Sequence, residues 1–306
     1  MTGVLQGFVV LGSVIGLGAL LAHVKLLGED SQQMLAKLAF YVASPALMVT
    51  VMVDADVATL FSVNLAVTTA AVGVSGSLFV LVSLWRFKRP APETVIGTLC
   101  SMYVNAGNLG IPIAAYVLGD ASLVAPVLLL QLLVLQPLAL AIMDRSTAVA
   151  GTSRRALTLR TVTNPLLLGA LVGLALALTG WEMPFVIAEP VNLVAAMAVP
   201  SMLLAYGVSL RVGPRPGTGV AKAEVGTTVV LKLVVQPVSA YLIALAAGLD
   251  EASTFAVVVL AALPAAQNIF VHAVRYNRGV VMARDSIFVS TLLCPLALLV
   301  ITALLA

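Results

Sequence analysis

Polar residues interrupt this chain at regular intervals, and the stretches between them are apolar from end to end. Ten runs emerge, at 4–24, 32–53, 62–84, 93–118, 121–143, 163–180, 185–210, 225–248, 252–274 and 283–305, here called spans 1 to 10. Runs of roughly 18 to 25 residues are what a helix needs to cross a bilayer. The pattern predicts an all-α polytopic membrane protein of about ten transmembrane helices, with no room for a soluble domain. The N-terminus, Met1-Thr2-Gly3-Val4, lacks a basic region, and span 1 is long enough to cross. It is expected to remain as a helix, not to be a cleaved signal peptide.

Spans 4 and 9 depart from the pattern. One contains Asn105-Ala106-Gly107-Asn108-Leu109-Gly110-Ile111-Pro112, the other Leu263-Pro264-Ala265-Ala266-Gln267-Asn268. Proline and glycine free backbone groups, and in lipid those groups must find protein, water or a substrate. Paired broken helices, one in each half of a chain, point to a transporter binding site at the bilayer midplane.

Of 306 residues, 61% are hydrophobic and 9% charged, with mean hydropathy +1.12. A soluble domain carries about 25% charged residues, so a soluble enzyme and a nucleic-acid partner are not expected. Cys100 and Cys294 fall inside spans and read as small buried residues, with neither a disulfide nor a metal site implied.

Charge adds orientation. Lys25, then Arg86, Lys88 and Arg89, then Arg145, Arg154, Arg155 and Arg160, then Arg211, Arg215 and Lys222, then Arg275, Arg278 and Arg284 occupy alternate loops. The other loops hold Asp54, Asp56, Asp120, Glu182, Glu189, Asp250 and Glu251, and no Lys or Arg. The positive-inside rule then predicts a multi-pass cell-membrane protein with cytoplasmic basic loops and both termini non-cytoplasmic.

The chain also repeats itself. Gly12/Gly16 matches Gly169/Gly173 at an offset of 157, and Pro45 matches Pro200 at 155. Pro112 matches Pro264 at 152, and Pro137 matches Pro295 at 158. The expected organisation is a first five-helix repeat at 1–144, a basic linker at 145–162 and a second repeat at 163–306. An odd number of helices per repeat inverts the second one, and spans 4 and 9 then cross at their breaks.

The amides Asn105, Asn108, Gln267 and Asn268 either bond backbone released at the breaks or contact a substrate. Two amides with two glycines exceed what one kink needs, so substrate contact is the reading taken. Gly107, Gly110, Pro112 and Pro264 would open the backbone around it. Lys232 lies roughly 10 Å into span 8, and either snorkels or serves as counter-charge to an anion. Lys37 is nearer its helix start, which favours snorkelling. His272, four residues beyond Asn268, either carries a coupling proton or sits at the inner interface. No Asp or Glu is expected deep in a span, so a carboxylate relay is not expected, while carbonyls at the breaks leave sodium open. The paired glycines of spans 1 and 6 would serve scaffold packing or a dimer seam. Gln136-Pro137 and Gln236-Pro237 are expected to satisfy their own kinks. Gly73-Val74-Ser75-Gly76 has the form of an intramembrane serine-protease motif. Such strings are common in membrane helices, and ten inverted spans are the wrong architecture, so no enzyme is read here.

Asn105-x-Gly107-x-x-Gly110-Ile111-Pro112, Ala262-Leu263-Pro264 through Asn268, Val274-Arg275-Tyr276, Ser44-Pro45, Pro200 and Gly207-Val208-Ser209-Leu210 together resemble the auxin efflux carrier family over the whole chain. That family includes plant auxin exporters and bacterial malate or malonate permeases, and the span-9 segment and short central loop resemble the bacterial branch. The resemblance implies a scaffold of helices 1, 2, 6 and 7 and a transport domain of helices 3–5 and 8–10. It also implies elevator-like movement, a homodimer through the scaffold, and Asn105 as a substrate contact. The reading is a secondary active transporter of a small organic anion, a mono- or dicarboxylate, with no cofactor and with proton or sodium as the coupling ions to test. The alternative is an auxin-like weak-acid exporter driven by membrane potential, and after it an anion channel.

Overall fold

A computed structural model describes residues 2–53, 63–110, 113–148, 163, 165–213 and 222–305. Among these residues the regular elements are all helical, and a lone antiparallel bridge joins Val104 to Ala265. The helices are α1 (Thr2–His23), α2 (Glu29–Val53), α3 (Val63–Phe87), α4 (Ala91–Met102, then Ala106–Gly110 and Ala114–Leu118) and α5 (Pro126–Ser146). The second half adds α6 (Pro165–Thr179), α7 (Phe185–Val212), α8 (Lys222–Ala246), α9 (Glu251–Ala261, then Asn268–Tyr276) and α10 (Val280–Leu305). Helices α2, α3, α5, α7, α8 and α10 are each long and apolar enough to cross a membrane. The linker from 149 to 162, Asp54, Asp56, Arg215 and Pro112 lie outside the described residues.

Wide turns of π type stand directly before three X-Pro pairs. They are Ala39–Ala43 before Ser44-Pro45, Gln131–Leu135 before Gln136-Pro137, and Leu231–Val235 before Gln236-Pro237. A proline ring strikes the carbonyl four residues back and brings no N–H. One widened turn absorbs both defects without ending the helix.

Two packing groups result. In one, α1 lies on α7, and α2 lies on α6 and α7. Glycines set the closeness. A Cβ at Gly18 would strike the Leu204 backbone, and one at Gly207 the backbone of Ile15. Gly169 and Gly173 likewise meet the backbones of Pro45 and Val49. Gly12 and Gly16 meet nothing within 4 Å. Within the chain, the glycine pair shared by spans 1 and 6 therefore sets close packing in α6, while α1 uses Gly18 for its contact with α7. In the other group, α3 packs on α4 and α8, α5 on α4, α9 on α8, and α10 on α4 and α8.

Carboxylates are buried at the end of the molecule that carries the basic loops. Asp285, the sixth residue of α10, is fully buried and pairs with Arg284 at 2.6 Å. It lies at the start of span 10, not deep within it, and a carboxylate can be buried there once a cation on the adjacent residue pairs with it. Tyr206 Oη donates to the Arg284 carbonyl at 2.8 Å, tying α7 to α10. Glu224 at the start of α8 accepts from Arg89 at 2.8 Å. That bond holds the Arg89 guanidinium above its ordinary pKa. Asp144 accepts from Tyr276 Oη at 2.8 Å.

Candidate functional site

The two broken helices cross where each is unwound. After Met102 the chain extends through Tyr103 (φ −90°, ψ 108°). Asn105 N–H donates to the Pro264 carbonyl at 2.8 Å, and Ala266 N–H to the Tyr103 carbonyl at 3.2 Å. These bonds make a minimal antiparallel pairing of two backbones that have left their helices. Neighbouring helices supply the rest. Gln131 Nε2 of α5 donates to the Val104 carbonyl at 3.0 Å, and Gln236 Nε2 of α8 to the Met102 carbonyl at 3.2 Å. Lys232 Nζ donates to the Ala261 carbonyl at 2.6 Å, and Ala265 N–H donates to Ser290 Oγ of α10 at 3.2 Å. Irregular backbone at membrane depth survives only when it is served in this way.

On the side facing α2, α6 and α7 lies a cavity of ≈ 190 Å³. Its polar wall comes from the crossover: Tyr103, Asn105, Gly107, Gln267, Asn268 and His272, joined by Gln131 and Gln136 of α5. Its apolar wall comes from the first packing group, with Phe40, Met48 and Val51 of α2, Leu166 of α6 and Met202 of α7. Asn105 Nδ2 donates to Gln267 Oε1 at 2.7 Å, one amide from each broken helix. Asn268 Nδ2 reaches Tyr103 Oη and Gln136 Oε1, each at 3.3 Å, and Tyr103 Oη donates to Gln136 Oε1 at 3.2 Å. Asn268 Oδ1 and both ring nitrogens of His272 are buried and have no hydrogen-bond partner among the described residues. The His272 ring stands edge-on to Phe40, with centroids 5.7 Å apart.

The sequence-selected residues divide accordingly. Asn105, Gly107, Gln267, Asn268 and His272 line the cavity. Gly110 and Pro264 are buried just behind it. A Cβ on Gly110 would lie 3.2 Å from Leu263 and 3.3 Å from Val124, and Pro264 contributes its carbonyl to the crossing. Pro112 and the Asn108 side chain lie outside the described residues. Lys232 is fully buried on the far side of the crossover, does not line the cavity, and cannot snorkel from there. Lys37 is exposed, in a cleft of ≈ 470 Å³ near Arg275 and Arg284. His272 is 4% exposed and so is not an interfacial histidine. Ser75 of the protease-like string donates to the Leu231 carbonyl at 3.3 Å and lies outside the cavity.

Tyr103 and Gln131 are not singled out by the sequence, and Gln136 only as a residue serving its own kink. Their signal is faint: a tyrosine two residues before Asn105, and two glutamines close together inside span 5. Gln136 and Gln236 do not serve their own kinks, because the π turns absorb those and leave the amides for the crossover. Among the described residues, no cluster of three His, Cys, Asp or Glu side chains could hold a metal.

A helical membrane protein with two unwound, paired breaks around a polar cavity is built to pass a solute. A family model described as "Membrane transport protein" matches residues 4–302. The chain belongs to this family. The resemblance to auxin efflux carriers holds across its length. A relative from Rhizobium meliloti (strain 1021), named "Putative malonate transporter", is 27% identical over 262 residues, which is 83% of this chain and 80% of the relative. This member of the family is thus a multi-pass membrane transport protein.

Proposed function

We propose that this transporter carries a small carboxylate across the cell membrane by secondary active transport, with the α4/α9 crossover as the binding site. The carrying observation is the two-sided cavity: amides and a histidine on one wall, aliphatic and aromatic side chains on the other. The second halves of α4 and α9 both begin at this cavity, and helix N-termini favour negative charge. Asn105, Gln267 and Asn268 would hold one carboxylate group, and the ring nitrogens of His272 would take a proton or a second polar group of the substrate. The name of the malonate-transporter relative supports a mono- or dicarboxylate.

In this reading α1, α2, α6 and α7 are the scaffold, and α3–α5 with α8–α10 move. The scaffold side of the cavity offers few hydrogen bonds to break, so the polar wall can slide along it in an elevator-like step. The basic loops face the cytoplasm, both termini lie outside, and the uncovered Gly12/Gly16 face of α1 is the candidate seam for a second copy.

The test is counterflow in proteoliposomes with malonate, succinate, acetate, indole-3-acetate and a neutral control, with sodium and pH gradients imposed separately. Saturable exchange of a small carboxylate, lost in Asn105→Ala, is expected. Preference for indole-3-acetate would favour the auxin-like alternative. Non-saturating flux without counterflow would mean a channel and overturn the carrier reading.

A further inference from the structure

Lys232 is fully buried in α8, yet among the described residues no carboxylate pairs with it. Its acceptors are neutral oxygens: the Ala261 carbonyl at 2.6 Å and Gln236 Oε1 at 2.7 Å. Ala261 ends the first half of α9. With its Oε1 facing the ammonium, Gln236 must present Nε2 elsewhere, and it donates to the carbonyl of Met102, which ends the first half of α4. One cation and one oriented amide thus serve the C-termini of both half-helices. Those termini carry partial negative charge. Half-helix C-termini and unwound carbonyls are also the ligand type that holds sodium in transporters with broken helices.

We propose that the Lys232 ammonium is a resident cation, seated among carbonyl and amide oxygens in a position that would otherwise take a monovalent metal ion. The crossover is then electrostatically complete without sodium. Truncating the lysine leaves an oxygen-lined space matched to Na⁺ or Li⁺, whereas an apolar side chain of similar length fills that space and leaves nothing to bind. The seat itself rests on geometry, and only its meaning for transport rests on the carrier reading.

The experiment is thermal unfolding of the purified, substrate-free protein in sodium chloride and in choline chloride at equal ionic strength. Wild type, Lys232→Ala and Lys232→Met are compared. Wild type should unfold at one temperature in both salts. Lys232→Ala should unfold roughly 5 °C lower in choline and recover with a saturable dependence on sodium, while Lys232→Met should show no sodium response. A sodium-specific rise in wild type, or equal behaviour of the two variants in both salts, would overturn the proposal. So would a Lys232→Ala protein that cannot be obtained folded even in sodium. No substrate enters these measurements, so a failed carboxylate assay on wild type would sink the carrier reading and leave this result standing.

Discussion

The two broken helices meet one demand with different chemistry. Around α4, the freed carbonyls of Met102 and Val104 accept from neutral amides, Gln236 and Gln131. Around α9, Ala261 takes an ammonium, Ala262 accepts from the Cys294 thiol at 3.5 Å, and Ala265 donates to Ser290. The cavity-facing groups differ in kind too. Helix α4 contributes Tyr103, Asn105 and the open backbone at Gly107, whereas α9 contributes Gln267, Asn268 and His272. The lesson is that backbone at membrane depth asks only for a partner of the right polarity. The two breaks therefore share a backbone pairing, and the side chains that complete each of them differ.

The largest expected effect probes the amide–amide bond between Asn105 and Gln267, one of the bonds that join the two breaks. Asn105→Ala and Gln267→Ala should each lower initial uptake about 10- to 100-fold, the range of a lost polar contact to a charged ligand. The double variant should lose less than the product of the two, because both single changes remove the same bond. Strictly multiplicative losses would show that the breaks act separately.

Next comes the support behind each break. Gln131→Leu strips a donor from the Val104 carbonyl, and Ser290→Ala strips an acceptor from the Ala265 N–H. Each should cost about 1–3 kcal/mol of stability. Comparable falls in melting temperature would mean that the breaks are equally dependent on their neighbours. A negligible effect of Ser290→Ala would leave the α9 break resting on Lys232 instead.

A smaller effect is expected at His272. Phenylalanine there preserves the edge contact with Phe40 but removes both ring nitrogens. Carboxylate affinity should weaken about 3- to 10-fold, roughly the worth of one hydrogen bond, with the melting temperature unchanged. Unaltered affinity would take the histidine out of the site.

The smallest difference lies at the helix starts. Asp250 caps the first half of α9, accepting from Ser253 N–H at 2.8 Å and from its hydroxyl at 3.0 Å. These bonds hold its carboxyl below the ordinary value of 3.8. The first half of α4 starts after Pro90 with no side-chain cap. A lowered folded-state pKa means the stabilisation is present above 3.8 and lost as pH falls through the folded value. The gap in melting temperature between wild type and Asp250→Ala should therefore be open at pH 6 and narrow at strongly acidic pH. A gap independent of pH would show that the cap is not the carboxylate.

Much of this was legible in the linear sequence. The spans, the two breaks, the alternating basic loops and the cavity residues Asn105, Gly107, Gln267 and Asn268 all rest on local demands. A bilayer needs a fixed length of apolar helix, and proline or glycine within it announces freed backbone. Composition alone could not say which way a mid-span side chain faces. Lys232 could equally snorkel or face inward and His272 looked suited to a membrane surface, yet one is sealed behind the crossover and the other lines the cavity. Gly12/Gly16 looked like a packing seam, whereas Gly18 and Gly207 form the close contact between α1 and α7. Gln136 and Gln236 looked local and instead reach across to the crossover. The sequence by itself thus determined where helices begin, end and break, because those depend on each segment's own hydropathy and backbone. Tertiary structure alone decided which polar groups meet, because that depends on helix rotation and on partners distant in the chain, such as Asn268 and Tyr103, 165 residues apart.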